Sequence, residues 1–497
     1  MNARAGRRGE AALLSDLREG RPLPKGTARR LVFLLALPTA LAELSSIAME
    51  YIDAAMVGRL GATGAAAIGL VASSTWLFWG LMRACATGFC VQVAQEIGAR
   101  RYASARSVLK QGLVSVLCSA FGLGALGAAV SRELPRWLGG DPSLFRDASA
   151  YFFVFMLFGM PATALRMLGS RMLQAAGEMR AAGFFNVVAC ALDVLFNYLF
   201  IFPAREVSLA GFGFVLPGMG LGVMGAALGT VVADLVSGAA VSWALFVRQP
   251  ILRFRRGESL RFERGVFREA FRVGLPVAFE SGLMTGAMVV STAIVAPLGP
   301  VALAANSFAI TAESLCYMPV YGIGSAASTL VGQAVGAGRR SLARAFAKMC
   351  TEMGVATMTA TGVLLFVFAP EIMGVLSPDG GICRLGVRVL RIEAFAEPMF
   401  AASIVASGAL RGAGDTLVPS LLNFASMWGV RLPLAAFAAP RLGLQGAWAA
   451  MAFELCVRGA LLLWRLASPR WTRAALSRIA PPGTSGRAGD DDGRAVA

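Results

Sequence analysis

An all-α polytopic membrane protein, with twelve transmembrane helices in two six-helix lobes related by a parallel repeat, is the fold this sequence predicts. Three observations carry the prediction. Hydrophobic residues make up 57% of the 497 positions and charged residues only 15%, with a mean hydropathy of +0.65. A soluble domain is about 45–50% apolar and about 25% charged. The apolar residues fall into runs long enough for a bilayer, which needs about 20 per helix. They lack the short alternating segments of a membrane barrel. Finally, the second half of the chain repeats the first in the same orientation.

Residues 1–30 read as a basic tail, rich in Gly and Arg and without apolar periodicity. Crossings follow at 31–57, 64–90, 107–130, 148–170, 184–203 and 219–247, forming an N-terminal lobe over 31–247. A charged connector occupies 248–270. The C-terminal lobe, 271–466, holds crossings at 271–297, 301–330, 346–369, 386–410, 418–439 and 444–466. The tail 467–497 ends in PPGTSGRAGDDDGRAVA, a composition that does not support a packed core. The first apolar run is too long for a signal-peptide core and lacks its cleavage pattern.

Most of the basic residues lie on one side of these crossings. They include Arg100, Arg101, Arg106, Lys110, Arg339, Arg340, Arg344 and Lys348, with the connector and both tails. That bias predicts two cytoplasmic termini in a multi-pass inner (plasma) membrane protein. It also accounts for the net charge of +17 as a topology signal, which argues against a nucleic-acid partner.

The repeat is explicit. An offset of 238 residues aligns Pro38 with Pro276, Leu60-Gly61 with Leu298-Gly299, Gln95 with Gln333, Gly98 with Gly336 and Arg106 with Arg344. Further on, LQAAGE (173–178) meets LRGAGD (410–415) and Asn186 meets Asn423 at 237, and GVMGA (222–226) meets GLQGA (443–447) at 221. The smaller last offset reflects a longer external loop in the first half. Parallel repeats of this kind belong to transporters built about an axis along the membrane normal.

Charge inside the crossings is where chemistry is expected. The first crossing carries Pro38, Glu43, Glu50 and Asp53. A carboxylate at the centre of a membrane helix costs about 2.5–3.5 kcal/mol on insertion scales. Spacings of seven and three put the three acids on one helical face. An acidic stripe beside a helix-bending proline reads as a cation pathway, and Pro276 is the equivalent bend in the second lobe. Histidine is absent, so proton chemistry in the membrane falls on carboxylates. Among the other intramembrane charges, Arg83, Arg431 and Arg458 read as partners of acids or helix ends rather than anion sites. Glu313 has the best claim to a central cavity, ahead of Glu352 and Glu454.

Several function classes drop out. The eight cysteines form no C-x-x-C pair and read as small buried hydrophobes, so neither a disulfide framework nor a metal site is expected. The G-x-G-x-x-G at 220–225 lacks the strand a dinucleotide site needs and reads as helix packing. There is no phosphate-binding G-x-x-x-x-G-K-[ST] loop and no nucleophile–base pair. No enzyme and no cofactor are expected.

Four segments carry a family resemblance: DAAMVGRLGA (53–62), GMGLGVMGAALGT (218–230), LVGQAVGAG (330–338) and GALRGAGDT (408–416). They resemble the multidrug and toxic compound extrusion (MATE) family over nearly all of Leu31 to Leu466. The resemblance implies a central cavity between two lobes, and efflux of cationic or amphiphilic compounds by alternating access, driven by Na⁺ or H⁺. Asp53 matches a functional first-helix aspartate. Asp193 and Asn197 match a fifth-helix pair with the two side chains exchanged, and Thr230 matches a sixth-helix threonine. Glu280 is a displaced match to a seventh-helix acid of the NorM-type branch, and Phe400 stands where that branch has a tenth-helix aspartate, with Glu397 nearby.

Depth supports the first-lobe set. At 1.5 Å per residue Asp53 lies about 33 Å along its helix, Asn197 about 20 Å along the fifth and Thr230 about 17 Å along the sixth, so all can meet in the outer half. Asp53, Asp193, Asn197 and Thr230 are therefore the expected coupling site, with Glu280 and Glu313 the second-lobe rivals. The chain is expected to act as a monomer on small molecules within the bilayer. A lipid-linked oligosaccharide flippase of the wider superfamily is the alternative, disfavoured by central charges that lean acidic.

Overall fold

The computed structural model describes residues 9–209, 212–255, 258 and 262–479. Among the described residues, eleven helices are long and apolar enough to cross a membrane. The first lobe contributes Lys25–Gly58, Thr63–Gly98, Tyr102–Val130, Pro142–Ala176, Met179–Ile201 and Gly222–Arg248. The second contributes Arg264–Leu298, Pro300–Gly336, Arg340–Leu376, Leu417–Leu442 and Leu444–Ala467. The remaining crossing, tenth in order, is two helices, Gly380–Ala394 and Glu397–Gly412. Pro398 stands at the start of the second piece. It has no N–H to donate and its ring would meet the carbonyl of Ala394, which favours a kink or break at this point, and here the helix breaks. The crossings are numbered 1 to 12 below.

Side chains at helical spacing divide each crossing between lipid and core. On span 1, Phe33, Leu37 and Leu41 are exposed, while Leu31, Leu35 and Ala36 are buried. The exposed row, spaced by four, faces outward along one side of the helix. Within the first lobe span 5 packs on spans 1 and 6, and span 4 on spans 2 and 6; within the second, span 10 packs on spans 8, 9 and 12. The lobes meet through spans 1 and 8 and through spans 2 and 7.

The repeat appears as a reciprocal contact. A side chain at Gly98 would strike the backbone of Gln333, and one at Gly336 would strike the backbone of Gln95. These are the residues aligned by the 238-residue offset, so each lobe presents the same glycine to the same glutamine of the other. Such mutual contact is the mark of two-fold symmetry. Pro38 and Pro276 both lie inside helices. Beside Pro38, the Thr39 hydroxyl donates to the carbonyls of Ala36 (2.8 Å) and Gly322 (2.9 Å), tying span 1 to span 8.

The structure corrects the reading of the tails and one loop. Within the supposed N-terminal tail, Glu10–Arg18 forms a helix whose Leu13, Leu14 and Leu17 are buried. Arg18 donates to the Ala176 carbonyl of the first lobe (2.9 Å) and to Gln333 Oε1 of the second (3.2 Å). Arg470–Ile479 is also helical, with Trp471 buried and Arg344 reaching Thr472 at 3.4 Å. Both terminal helices thus dock at one end of the bundle, here called the terminal side. The sequence from 480 onward, expected to be disordered, lies outside the described residues. The long loop between spans 5 and 6 holds an antiparallel strand pair, β1 (Pro203–Leu209) and β2 (Phe212–Met219), within the otherwise helical membrane fold. In the connector, Glu258 bridges Arg106 (2.6 Å) and Lys110 (3.1 Å). These cations hold its carboxyl below the ordinary glutamate range.

Candidate functional site

Span 5 positions the first-lobe site. Asp193 and Asn197 are one helical turn apart and both are buried. The Asn197 amide nitrogen donates to Asp53 Oδ1 of span 1 and to Asp193 Oδ2, each at 3.0 Å. A primary amide has two N–H groups, so one asparagine holds two carboxylates together. Thr230 of span 6 lies beside the Asp193 carboxylate. Span 6 comes this close because Gly229 faces Asn197; a side chain there would collide with Asn197 Oδ1. That oxygen is buried and has no hydrogen-bond partner. All four residues expected from the sequence therefore meet in one place.

Two carboxylates sharing a low-dielectric site repel unless something positive lies between them. Here the neighbours are an amide, a hydroxyl and the unpartnered Asn197 oxygen. This is a set of oxygen ligands suited to a hard cation or a proton.

A second network lies nearby, and sequence reasoning missed it. Asp234 of span 6 accepts from Arg166 Nε and the Thr163 hydroxyl of span 4. Arg166 also reaches Asn186 Oδ1 at 3.5 Å, and Asn186 donates to the Ala42 carbonyl (2.9 Å) and Ser46 (3.0 Å) of span 1. The available signal was one arginine and one aspartate inside two apolar runs.

The second lobe treats its acids differently. Glu280 accepts from Arg411 Nη2 (2.7 and 2.8 Å), Ser420 (2.6 Å) and Asn423 (2.8 Å). Glu454 pairs with Arg458 through two contacts of 2.8 Å. Glu313 is buried, with Arg431 and Arg458 as its nearby charges. Glu393 and Glu397 flank the break in span 10, and neither carboxyl has a hydrogen-bond partner. Phe400 packs against Tyr317 and lies under the Arg458 guanidinium. Glu352, expected within the membrane core, sits on an exposed face 3.8 Å from Lys348. Among the described residues no cluster of three or more His, Cys, Asp or Glu side chains is placed to hold a metal ion. In the G-x-G-x-x-G segment, Gly225 fits against the Phe200 backbone, which is helix packing.

Two like lobes with buried charge on their inner helices define a polytopic transporter rather than an enzyme. Comparison with known proteins sharpens this. The MatE family model matches residues 38–199 and again 276–437, two matches separated by the offset of the repeat. The chain belongs to the MatE family of membrane transporters. It is 26% identical over 453 residues to a probable multidrug resistance protein NorM of Thermotoga maritima, covering 90% of this chain and 95% of that protein. It is 29% identical to a similarly named protein of Mesorhizobium japonicum, covering 91% and 95%. The fold is that of an outward-facing multidrug resistance MATE transporter of the MOP superfamily, with a TM-score of 0.81 at 19% identity over 91% of this chain and 96% of the other. A Vibrio cholerae MATE transporter superposes with a TM-score of 0.82 at 16% identity, over 91% and 98%.

Proposed function

We propose that this chain exports cationic or amphiphilic small molecules from the cell, in exchange for inward-moving Na⁺ or H⁺, by alternating access between its lobes. It acts as a monomer in the inner membrane, with both termini cytoplasmic. The observation that supports coupling is the Asp53–Asn197–Asp193 assembly. It concentrates two acidic groups where spans 1, 5 and 6 meet, and among the described residues no arginine or lysine is bonded to either aspartate. A cation or proton entering it cancels repulsion that a drug cation could also cancel. Mutual exclusion at one charge is the requirement of antiport.

Purified protein in vesicles tests this, with ethidium uptake driven by Na⁺ and pH gradients imposed separately. One gradient should drive transport and the other should not. Transport that ignores both gradients contradicts the proposal. For orientation, a reporter active only in the periplasm, fused after Ala467, should stay silent; a signal overturns the cytoplasmic termini.

A further inference from the structure

On the terminal side the lobes close on each other through a matched pair of contacts. Gln95 of span 2 donates to the Gly412 carbonyl of span 10 (3.1 Å). Gln333 of span 8 donates to the Ala175 carbonyl of span 4 (2.8 Å). The two bonds are equivalent under the repeat, since Gln95 aligns with Gln333 and Ala175 with Gly412. Gly98 and Gly336 complete the clasp by letting the two backbones approach.

The helix Glu10–Arg18 lies across this seam. Its Arg18 guanidinium donates from Nη2 to the Ala176 carbonyl of the first lobe (2.9 Å) and from Nε to Gln333 Oε1 of the second (3.2 Å). One side chain therefore holds both lobes at once, at the glutamine of the clasp. On the first lobe, Leu14 rests on Gly177, where a side chain would strike it, and Glu10 lies 3.5 Å from Arg180. On the second lobe, Arg339 donates to the carbonyls of Leu17 (3.4 Å) and Arg21 (2.9 Å). These bonds satisfy carbonyls that a helix C-terminus leaves open. The repeat shows why Arg339 is available for this. Its first-lobe counterpart, Arg101, lies 3.7 Å from Glu96, whereas the position equivalent to Glu96 is Ala334. Leu13, Leu14 and Leu17 share one apolar cluster with Leu31 and Leu35 of span 1 and Leu330 of span 8, and burying them favours docking.

We propose that the helix Glu10–Arg18 is a latch across the interlobe seam, which holds the terminal side shut and must release the first lobe before that side opens. The latch rests on the alternating-access reading and adds a release step to it. The lobes cannot part here while Arg18 keeps both of its bonds. The first-lobe contacts are few, and the Arg180 side chain among them is 68% exposed, so that lobe is the one released. Residues 19–24 tie the latch to span 1, the helix that carries Pro38 and Asp53. Release therefore also frees the terminal end of the helix that holds the coupling aspartate.

Two native cysteines test this. Cys90 of span 2 is buried and lines a small cavity behind the clasp, with Ala175 and Ser328. Cys316 is buried within the second lobe, its thiol 3.6 Å from the Thr361 carbonyl of span 9. The full chain in phosphatidylcholine nanodiscs is treated with N-ethylmaleimide, and alkylation of each cysteine is followed by peptide mass spectrometry. Arg18→Ala should speed alkylation of Cys90 by roughly tenfold, the worth of one charge-assisted hydrogen bond. Leu14→Ala, which empties the contact on Gly177, should act at least as strongly. Cys316 should react at the wild-type rate in both variants.

A Cys90 rate unchanged in both variants overturns the latch. A rise at Cys316 that matches the rise at Cys90 makes the helix a general support of the fold and also overturns it. The labelling needs no transported compound, so the two readings fail separately. Normal ethidium transport with an unresponsive Cys90 removes the latch and leaves the exporter standing. A responsive Cys90 in a chain that moves no ethidium removes the exporter and leaves the latch.

Discussion

The two lobes share a backbone and differ in how they handle charge. Asn186 and Asn423 occupy equivalent places on spans 5 and 11, and both donate to the equivalent position on spans 1 and 7. In the first lobe that position is Ala42 and its backbone carbonyl accepts. In the second it is Glu280 and the side chain accepts, with Arg411 closing the pair. The reverse holds about two to three turns further along. Asp53, Asp193, Asn197 and Thr230 correspond to Ser291, Val430, Leu434 and Met451 by the same offsets. The first lobe thus has acids joined by an amide, while the corresponding pocket of the second is largely apolar. Its conspicuous acid, Glu280, is neutralised by an arginine. An acid already holding a guanidinium has little left to offer a moving ion. An acid held by an amide does.

The largest expected stability effect separates these two designs. Glu280→Gln removes the partner of Arg411 and should destabilise the protein by about 3 kcal/mol, the low end for breaking a buried pair. Asp53→Asn removes one of two like charges and should cost no stability. Thermal unfolding of the two variants in detergent, side by side, measures the contrast. Equal losses would mean that Asp53 is as structural as Glu280.

A smaller effect concerns the helix that bridges the lobes. Burial pushes the Glu10 carboxyl up to about 7, with Arg180 opposing and Glu178 adding to the rise. Its value when docked is higher than when free, so docking is favoured below the ordinary value of 4.5 and weakens as pH rises through about 7. Amide exchange of Leu13 to Leu17, corrected for intrinsic rate, should show less protection at high pH. Glu10→Gln should remove that dependence. A dependence that survives the substitution assigns it to another group.

The fold was legible because lipid demands long apolar runs and because the repeat preserved Pro38, Gln95 and Gly98 in the second half. The first-lobe site residues were those the family resemblance implied, and depth along three helices agreed with their meeting, since a rigid rise per residue turns sequence position into height. Pairings that depend on which helices touch were not legible. Arg166 and Asp234 are 68 residues apart, and nothing local couples them. The helix at Glu10–Arg18 escaped notice because its three buried leucines find their partners on the bundle and not along its own length. The break in span 10 could have been suspected from Pro398, but the burial of Glu393 and Glu397 beside it could not.

The central claim is that coupling resides in the first lobe. It is tested most directly by ethidium efflux from cells expressing Asp53→Asn, Asp193→Asn, Glu280→Gln or Glu313→Gln at matched levels in the membrane. The account predicts that Asp53→Asn abolishes gradient-driven efflux and that Asp193→Asn abolishes or uncouples it, while Glu313→Gln retains it and any loss in Glu280→Gln follows its lower stability. Normal efflux by both aspartate variants, with loss in Glu313→Gln, would move the coupling site to the second lobe and contradict the account.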